Sequence, residues 1–473
     1  MAIDSTYAPS ELPTRYCIIG AGPAGLIAGR SFLRAGIQFD ILERYTEVGG
    51  IWNIDQPGSP MYESCNFIAS KKRGGFIGYP MPEEYPDFPT WSQIRDYIHA
   101  MAADYGLIEH VQFETEVTAA EPLTTDGGTF WRVTLRSGEV RDYRGVIYAG
   151  GHEWSAFVPE IAGLETFTGR AIHSRDYRSL DEFHGKRVLI VGAGNSGVDI
   201  ASDAAVAADK AFLSTRRGYW VLPKNFFGVP TPDYIDGTEP LPDVFPFNQV
   251  HSEDDRIALL LTLIGDITRY GLPAPDHALT ATHPIVSNTV LHFLAHNRLA
   301  WKPDVESISG NQVTFRDGSV EEIDVIVLAT GYDIEIPFLA DGLVTYHNGR
   351  PRTHLSTFLP ELENFYTVGI MHTTDNGYQN FDEFTQLIVA DIRATLYGEN
   401  AEAVERLKHD YHPDLVGDLK LVNTRRNENQ WNAAEMRRVL LEIERDFGIP
   451  IPRWTDQEFY RDLRVAASSP TRG

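Results

Sequence analysis

The sequence predicts an α/β protein made of two doubly wound, Rossmann-like dinucleotide-binding domains, the second inserted into the first. Three observations carry this reading. The pattern G-x-G-x-x-G occurs twice, as GAGPAG at Gly20–Gly25 and GAGNSG at Gly192–Gly197. Each copy follows a strand-like apolar run and opens a helix-like stretch, the context that separates a phosphate cradle from an ordinary glycine turn. A third apolar run, DVIVLATGY, ends at Thr330 and Gly331, which are expected to contact a bound dinucleotide, and returns the chain from the second unit to the first.

In such a cradle the first glycine allows a tight turn, the second lets the backbone approach a pyrophosphate, and the third lets helix and strand pack closely. The diphosphate then rests on the helix N-terminus. Gly20, Gly22, Pro23, Ala24 and Gly25 are therefore expected contacts of one dinucleotide, and Gly192, Gly194, Asn195, Ser196 and Gly197 of another. After the first cradle, LIAGRSFLRAG reads as helix and IQFDILER as strand, closing on Glu43 and Arg44. Glu43 lies 18 residues past Gly25, where an acid accepts hydrogen bonds from a ribose 2′-hydroxyl. After the second cradle, VDIASDAAVAADK is the helix and AFLSTRR the strand, closing on Ser214, Thr215, Arg216 and Arg217. A guanidinium there pairs with a 2′-phosphate that an acid would repel. FAD is thus assigned to the first site and NADPH to the second; a merely solvated strand end is the competing reading for the two arginines.

Between and beyond the cradles, VGGIWN carries Gly49 and Gly50, whose lack of a side chain suits close approach to a ligand. Gly50, Ile51 and Trp52 join the expected cofactor contacts. Residues 53–90, rich in Pro, Gly and Tyr, read as long loops. WSQIRDYIHAMAADYGL has helical periodicity; VQFETEV, TFWRVTLRSG and GVIYAGG read as strands, with Val117 at the cofactor. Residues 227–283 are less regular and read equally as a substrate lid or a surface insertion. Gln312–Arg316 and Val320–Ile323 form a predicted hairpin before the returning strand. The expected domains are 1–162 (FAD, first part), 163–330 (NADPH) and 331–473 (FAD, second part). No repeat is evident beyond the two cradles.

Composition narrows the partners. A formal charge of −25, from 66 acidic against 41 basic residues, argues against nucleic acid or an anionic membrane surface. The two cysteines, Cys17 and Cys65, form no CxxC, so a redox-active disulfide is not expected and free thiols in a reducing cytosol are the simpler reading. No signal peptide is seen, and the longest apolar stretch, Ile257–Gly265, is about half the length a membrane span needs. A cytoplasmic protein is therefore expected. The histidines show no HExxH or comparable spacing, so no metal is expected. A homodimer is compatible with the chain, whose sequence does not fix the oligomeric state.

Five stretches together resemble the flavin-containing monooxygenases, a family of class B flavoprotein monooxygenases: the first cradle with Glu43, the G-G-x-W step at Gly49–Trp52, FTGRAIHSRDY, the second cradle with STRRGYW, and ATGY at Ala329–Tyr332. FTGRAIHSRDY matches F-x-G-x-x-x-H-x-x-x-Y with Phe167, Gly169, His173 and Tyr177. Its Tyr177-Arg178 ending is similar to the branch that oxygenates nitrogen and sulfur, where Baeyer–Villiger relatives carry Trp. The resemblance implies hydride transfer from NADPH to FAD, reaction with dioxygen to a flavin C4a-hydroperoxide, and oxygen transfer to a small S- or N-containing compound. It makes His173 and Tyr177 candidate catalytic or cofactor-positioning residues, against a structural histidine and a packed aromatic. The flavin ring is expected between the domains, near Trp52, the Tyr62–Lys71 segment and NGYQNF at Asn376–Phe381.

One departure matters. Many members carry Y-x-x-L-x-T-N-x-P-K after the flavin loop, with the asparagine beside the flavin. YESCNFIASKK aligns through Tyr62 and Lys71 and puts Ile68 at the asparagine position and Ser70 at the proline. Isoleucine has no polar handle. Asn66, two residues earlier, is the candidate substitute, or an ordinary loop asparagine. Baeyer–Villiger oxygenation of a ketone and an uncoupled NADPH oxidase or reductase therefore remain alternatives.

Overall fold

Each cradle strand takes the centre of a parallel sheet because both are apolar on every face: Tyr16, Cys17, Ile18, Val188, Leu189 and Ile190 are fully buried. The computed structural model describes residues 12–242, 250–373 and 377–464. Among them, the first five-stranded sheet runs Phe365–Thr367, Gly145–Tyr148, Tyr16–Ile19, Phe39–Leu42, Val111–Gln112, all parallel. The second runs Arg170–His173, Val325–Leu328, Arg187–Val191, Lys210–Ser214, Ala300–Lys302, again all parallel. Register decides what emerges from each sheet. Ile19 lies opposite Leu42 and Tyr148, so Gly20, Glu43 and Ala149 leave the carboxyl edge together. Val191 lies opposite Ser214 and Leu328, which does the same for Gly192, Thr215 and Ala329. These edges are where open α/β sheets bind ligands.

The duplication extends well beyond the cradles, correcting the expectation of no further repeat. In each unit a three-stranded antiparallel sheet precedes the strand that returns to the cradle strand. In the first it is Val117–Thr125, Gly128–Leu135 and Val140–Tyr143; in the second, Val305–Ser309, Gln312–Phe315 and Val320–Glu322. A buried parallel strand demands only apolar residues, and many sequences meet that demand, so topology repeats where residues do not. The outer strand differs. Arg170–His173 precedes its cradle strand in the chain, whereas Phe365–Thr367 comes long after its own, and so the second unit lies within the first.

The first cradle helix, Pro23–Ala35, starts with the proline that suits a helix's first turn and stops at Gly36, left-handed at φ 68°. Helix Gly377–Tyr397 packs on it through a fully buried Arg30–Asp382 pair at 2.5 Å, with Tyr460 and Ser31 hydroxyls on the other carboxylate oxygen. Helix Trp91–Asp104 opens with a Thr90–Gln93 capping box. Residues 53–90 form no helix or strand, in keeping with the long loops expected, but run as successive turns and bends in which Phe76, Ile77 and Met81 are buried. The irregular 227–283 region holds a small core, formed by Val229, Tyr234, Leu260 and Leu279 with Phe226 just before it, around helices Thr231–Asp236 and Glu253–Ile264. Residues 1–11 of the N-terminal lead-in, 243–249 of the proline-rich stretch, Asn376 and the polar C-terminal tail lie outside the described residues. No described helix is long and apolar enough to cross a membrane, and both cysteines are free and buried.

Candidate active site and dinucleotide cradles

One cleft of about 2020 Å³ is lined by both carboxyl edges. It is at least about twice the size of an ordinary small-molecule pocket, as two large ligands require. Every expected cofactor contact lies on its wall except Gly25. That residue packs beneath: a Cβ on Gly25 would sit 1.9 Å from the Gly20 carbonyl oxygen. Gly197 repeats the geometry at 2.1 Å from the Gly192 carbonyl, so both third glycines hold helix against turn.

Both cradles fit a dinucleotide diphosphate. Gly22 and Gly194 are the residues before their helices, both extended, and neither has a side chain to cap the first N–H groups. Those donors remain for an anion at the positive end of the helix. Glu43 is buried, and its carboxylate accepts from the Ala21 N–H at 2.7 Å and the Tyr45 N–H at 2.9 Å. Burial pushes its pKa up while these N–H bonds pull it down. Each oxygen keeps a second lone pair, so a ribose hydroxyl can still be received. At the other cradle Arg216 is exposed on the cleft wall and makes no ion pair among the described residues, whereas Arg217 lies 3.8 Å from Asp276. A free guanidinium at that strand end suits a 2′-phosphate. Ser214 and Thr215 are fixed beside it by the Pro303 carbonyl and the Trp301 indole.

Between the cradles the wall becomes aromatic. The Trp52 indole donates to the Tyr378 hydroxyl at 2.7 Å, and the Tyr378 ring stacks on Phe67 and Phe76 at 5.8 and 5.0 Å. Asn66 reaches the cleft but its amide donates to the Phe88 carbonyl at 3.2 Å. Ile68 also lines the cleft and is 37% exposed. The backbone there is a single bridge residue and then a bend rather than a strand.

Two expected catalytic candidates are not on the wall. The His173 ring is 5% exposed; its Nδ1 accepts from the Arg175 N–H and its Nε2–H donates to the Gly331 carbonyl at 3.1 Å. Burial lowers its pKa to about 4, so it is neutral and has no free nitrogen for a proton transfer. It ties the end of its strand to the ATGY turn. Tyr177 is fully buried, stacked on Phe183 at 5.0 Å, and donates to Asp203 at 2.9 Å. Neither residue lines the cleft, and the contacts each makes are those of the structural histidine and the packed aromatic that the sequence also offered. Asp203 also receives the Ser64 hydroxyl, and Asp199, one turn earlier, receives the Tyr62 hydroxyl at 3.0 Å. The second cradle helix, Asn195–Ala207, is thereby hydrogen-bonded to the flavin-loop segment of the first domain. Burial pushes the Asp199 carboxyl up to about 6.

The flavin-binding monooxygenase-like family model matches residues 14–376. The chain belongs to that family. It is therefore a flavoprotein monooxygenase. Family relatives include flavin-containing monooxygenase 5 of Oryctolagus cuniculus, 31% identical over 363 residues, covering 74% of this chain and 67% of that protein. Dimethylaniline monooxygenase [N-oxide-forming] 2 of Macaca mulatta is 29% identical over 385 residues, covering 76% and 69%. Among solved structures, an OTEMO complex with FAD and NADP superposes with a TM-score of 0.67 at 19% identity, covering 92% of this chain and 98% of that one. The S-allyl-L-cysteine S-oxygenase of Allium sativum gives 0.62 at 19%, covering 95% and 91%. These superpositions establish the two-domain Rossmann-like fold that the family shares.

Gly377, Tyr378 and Phe381 of the expected NGYQNF segment are on the wall. Arg426, His152, His283 and His372 also line it and escaped sequence reasoning, since none sits in a motif with a defined role. Nothing local marks them, because the chain brings them in from the C-terminal part or from between strands.

Proposed function

We propose that this protein is an NADPH- and dioxygen-dependent monooxygenase that holds FAD at Gly20–Gly25 and NADPH at Gly192–Gly197 and oxygenates sulfur or nitrogen in a small organic substrate. The observation that carries this reading is the single cleft into which both cradles open. Bound FAD would take up hydride from NADPH and activate dioxygen for transfer to the substrate. The chain's own residues then have distinct tasks. Glu43 receives the ribose of FAD, Arg216 the 2′-phosphate of NADPH, and the uncapped helix N-termini the diphosphates. The Trp52–Phe67–Tyr378 patch, backed by buried Phe76, makes that part of the cleft apolar and excludes water. Ile68 brings no polar group to this wall, which Asn66 and Tyr378 also line. The same reading divides the chain at 1–162, 163–330 and 331–473, consistent with the membership of the two parallel sheets.

The test begins with the purified protein's absorbance, which should show bound flavin, and with anaerobic bleaching of that flavin by NADPH faster than by NADH. Aerobic incubation with a sulfide, a tertiary amine and a cyclic ketone, with products read by mass spectrometry, should yield sulfoxide or N-oxide. A colourless protein, or an ester as the sole product, would contradict the reading.

A further inference from the structure

A second unpaired cation beside the second cradle comes from outside the matched family region. Arg426 lies in the short helix Arg425–Asn429, beyond residue 376 where the family match ends. Its Nη1 is 3.6 Å from where a Cβ on Gly194 would stand, at the mouth of helix Asn195–Ala207. It lines the cleft and makes no hydrogen bond or ion pair among the described residues; Glu153 attracts it without pairing. Its neighbour Arg425 differs: it is paired with Asp333 at 3.0 Å and lies over Phe157 at 4.3 Å.

An unpaired guanidinium beside a helix N-terminus is two positive features side by side, an arrangement that an anion between them stabilises. The backbone of this segment is fixed so that the side chain stays there. Asn427 is buried and its amide donates to the Val422 carbonyl at 2.8 Å and the Ala281 carbonyl at 3.3 Å, while its oxygen accepts from Thr282. The Val422 N–H bonds the Ala281 carbonyl at 2.9 Å, and Asn348 donates to Glu428 at 2.9 Å. The segment thus spans from the second domain to the loop after the ATGY turn.

We infer that Arg426 is a ligand of the coenzyme diphosphate, delivered to the second cradle by the C-terminal segment. This rests on the assignment of NADPH to that cradle. The diphosphate is common to NADP and NAD, whereas the 2′-phosphate proposed for Arg216 belongs to NADP alone, so the two arginines leave different signatures.

The test is calorimetric titration of the FAD-loaded enzyme with NADP and with NAD. Arg426→Gln should weaken both by a similar factor, roughly tenfold or more for a charged hydrogen bond, with FAD content unchanged. Arg216→Ala should weaken NADP alone. Affinity for both nucleotides within twofold of wild type in Arg426→Gln would overturn the inference, as would a loss confined to NADP. If Arg426→Gln fails to retain FAD, Arg426→Lys decides: a several-fold loss for both nucleotides supports the role, and unchanged affinity for both overturns it. Wild-type enzyme that binds neither nucleotide would remove the NADPH assignment itself, and this inference with it.

Discussion

A methyl group at Gly25 or Gly197 is the smallest change that separates the two cradles experimentally. Each Cβ would lie near 2 Å from a backbone carbonyl, which cannot move aside as a side-chain tip could. Gly25→Ala should give protein with little bound flavin, read from its absorbance. Gly197→Ala should keep the flavin and lose NADPH-driven bleaching. Arg216→Ala should raise the KM for NADPH by roughly tenfold or more and leave that for NADH nearly unchanged, since only the 2′-phosphate loses its charged partner. Equal kinetics with both coenzymes before mutation would contradict the assignment. His173 makes a different prediction, about stability and pH. Its pKa is lowered from 6.5 to about 4 in the folded chain, so the unfolded chain binds the proton first as pH falls. The stability it contributes is complete above pH 6.5 and is lost as pH falls toward 4, on the order of 3 kcal/mol in all. The difference in unfolding free energy between wild type and His173→Gln should shrink across that window, while the pH–rate profile keeps its shape. The cradles were legible because their function is written in six consecutive residues. His173 and Tyr177 were not, because what occupies them, Gly331 and Asp203, lies 158 and 26 residues away.

Individual elements couple the two domains through part-buried polar contacts. Helix Asn195–Ala207 offers Asp199 to Tyr62 and Asp203 to Ser64, so the coenzyme helix and the flavin-side loop are linked by side chains rather than by sheet pairing; Tyr177 of the same unit shares Asp203. Tyr177→Phe removes one of two donors to Asp203 and should cost about 1–3 kcal/mol in denaturant unfolding, with kcat changed little. A large fall in kcat at unchanged stability would restore a catalytic role to Tyr177. The sequence marked the cradle helices by their apolar periodicity and their glycine openings. It held no hint of the Arg30–Asp382 pair or of the C-terminal segment at Arg426, whose partners come from distant parts of the chain. The irregular 227–283 region was ambiguous for a physical reason. Its core is small, and Ile235, Ile257 and Leu279 serve the cleft wall rather than a regular sheet.

At the scale of the whole molecule, two copies of one topology face a common cleft, and the order of strands makes the second an insertion in the first. The sequence revealed the duplication only at its cradles, because glycine is irreplaceable there and buried strand residues are interchangeable. The step proposed after hydride transfer is the one the sequence leaves most open, since Ile68, aligned by motif to the asparagine position, stands on the cleft wall. The decisive measurement is the stoichiometry of hydrogen peroxide released to NADPH consumed, taken with and without a sulfide, an amine and a ketone. Coupled oxygen transfer predicts that a sulfide or amine substrate lowers peroxide to a minor fraction and that oxygenated product accounts for the remaining NADPH. Near-complete conversion of NADPH to peroxide with every substrate would contradict the monooxygenase reading.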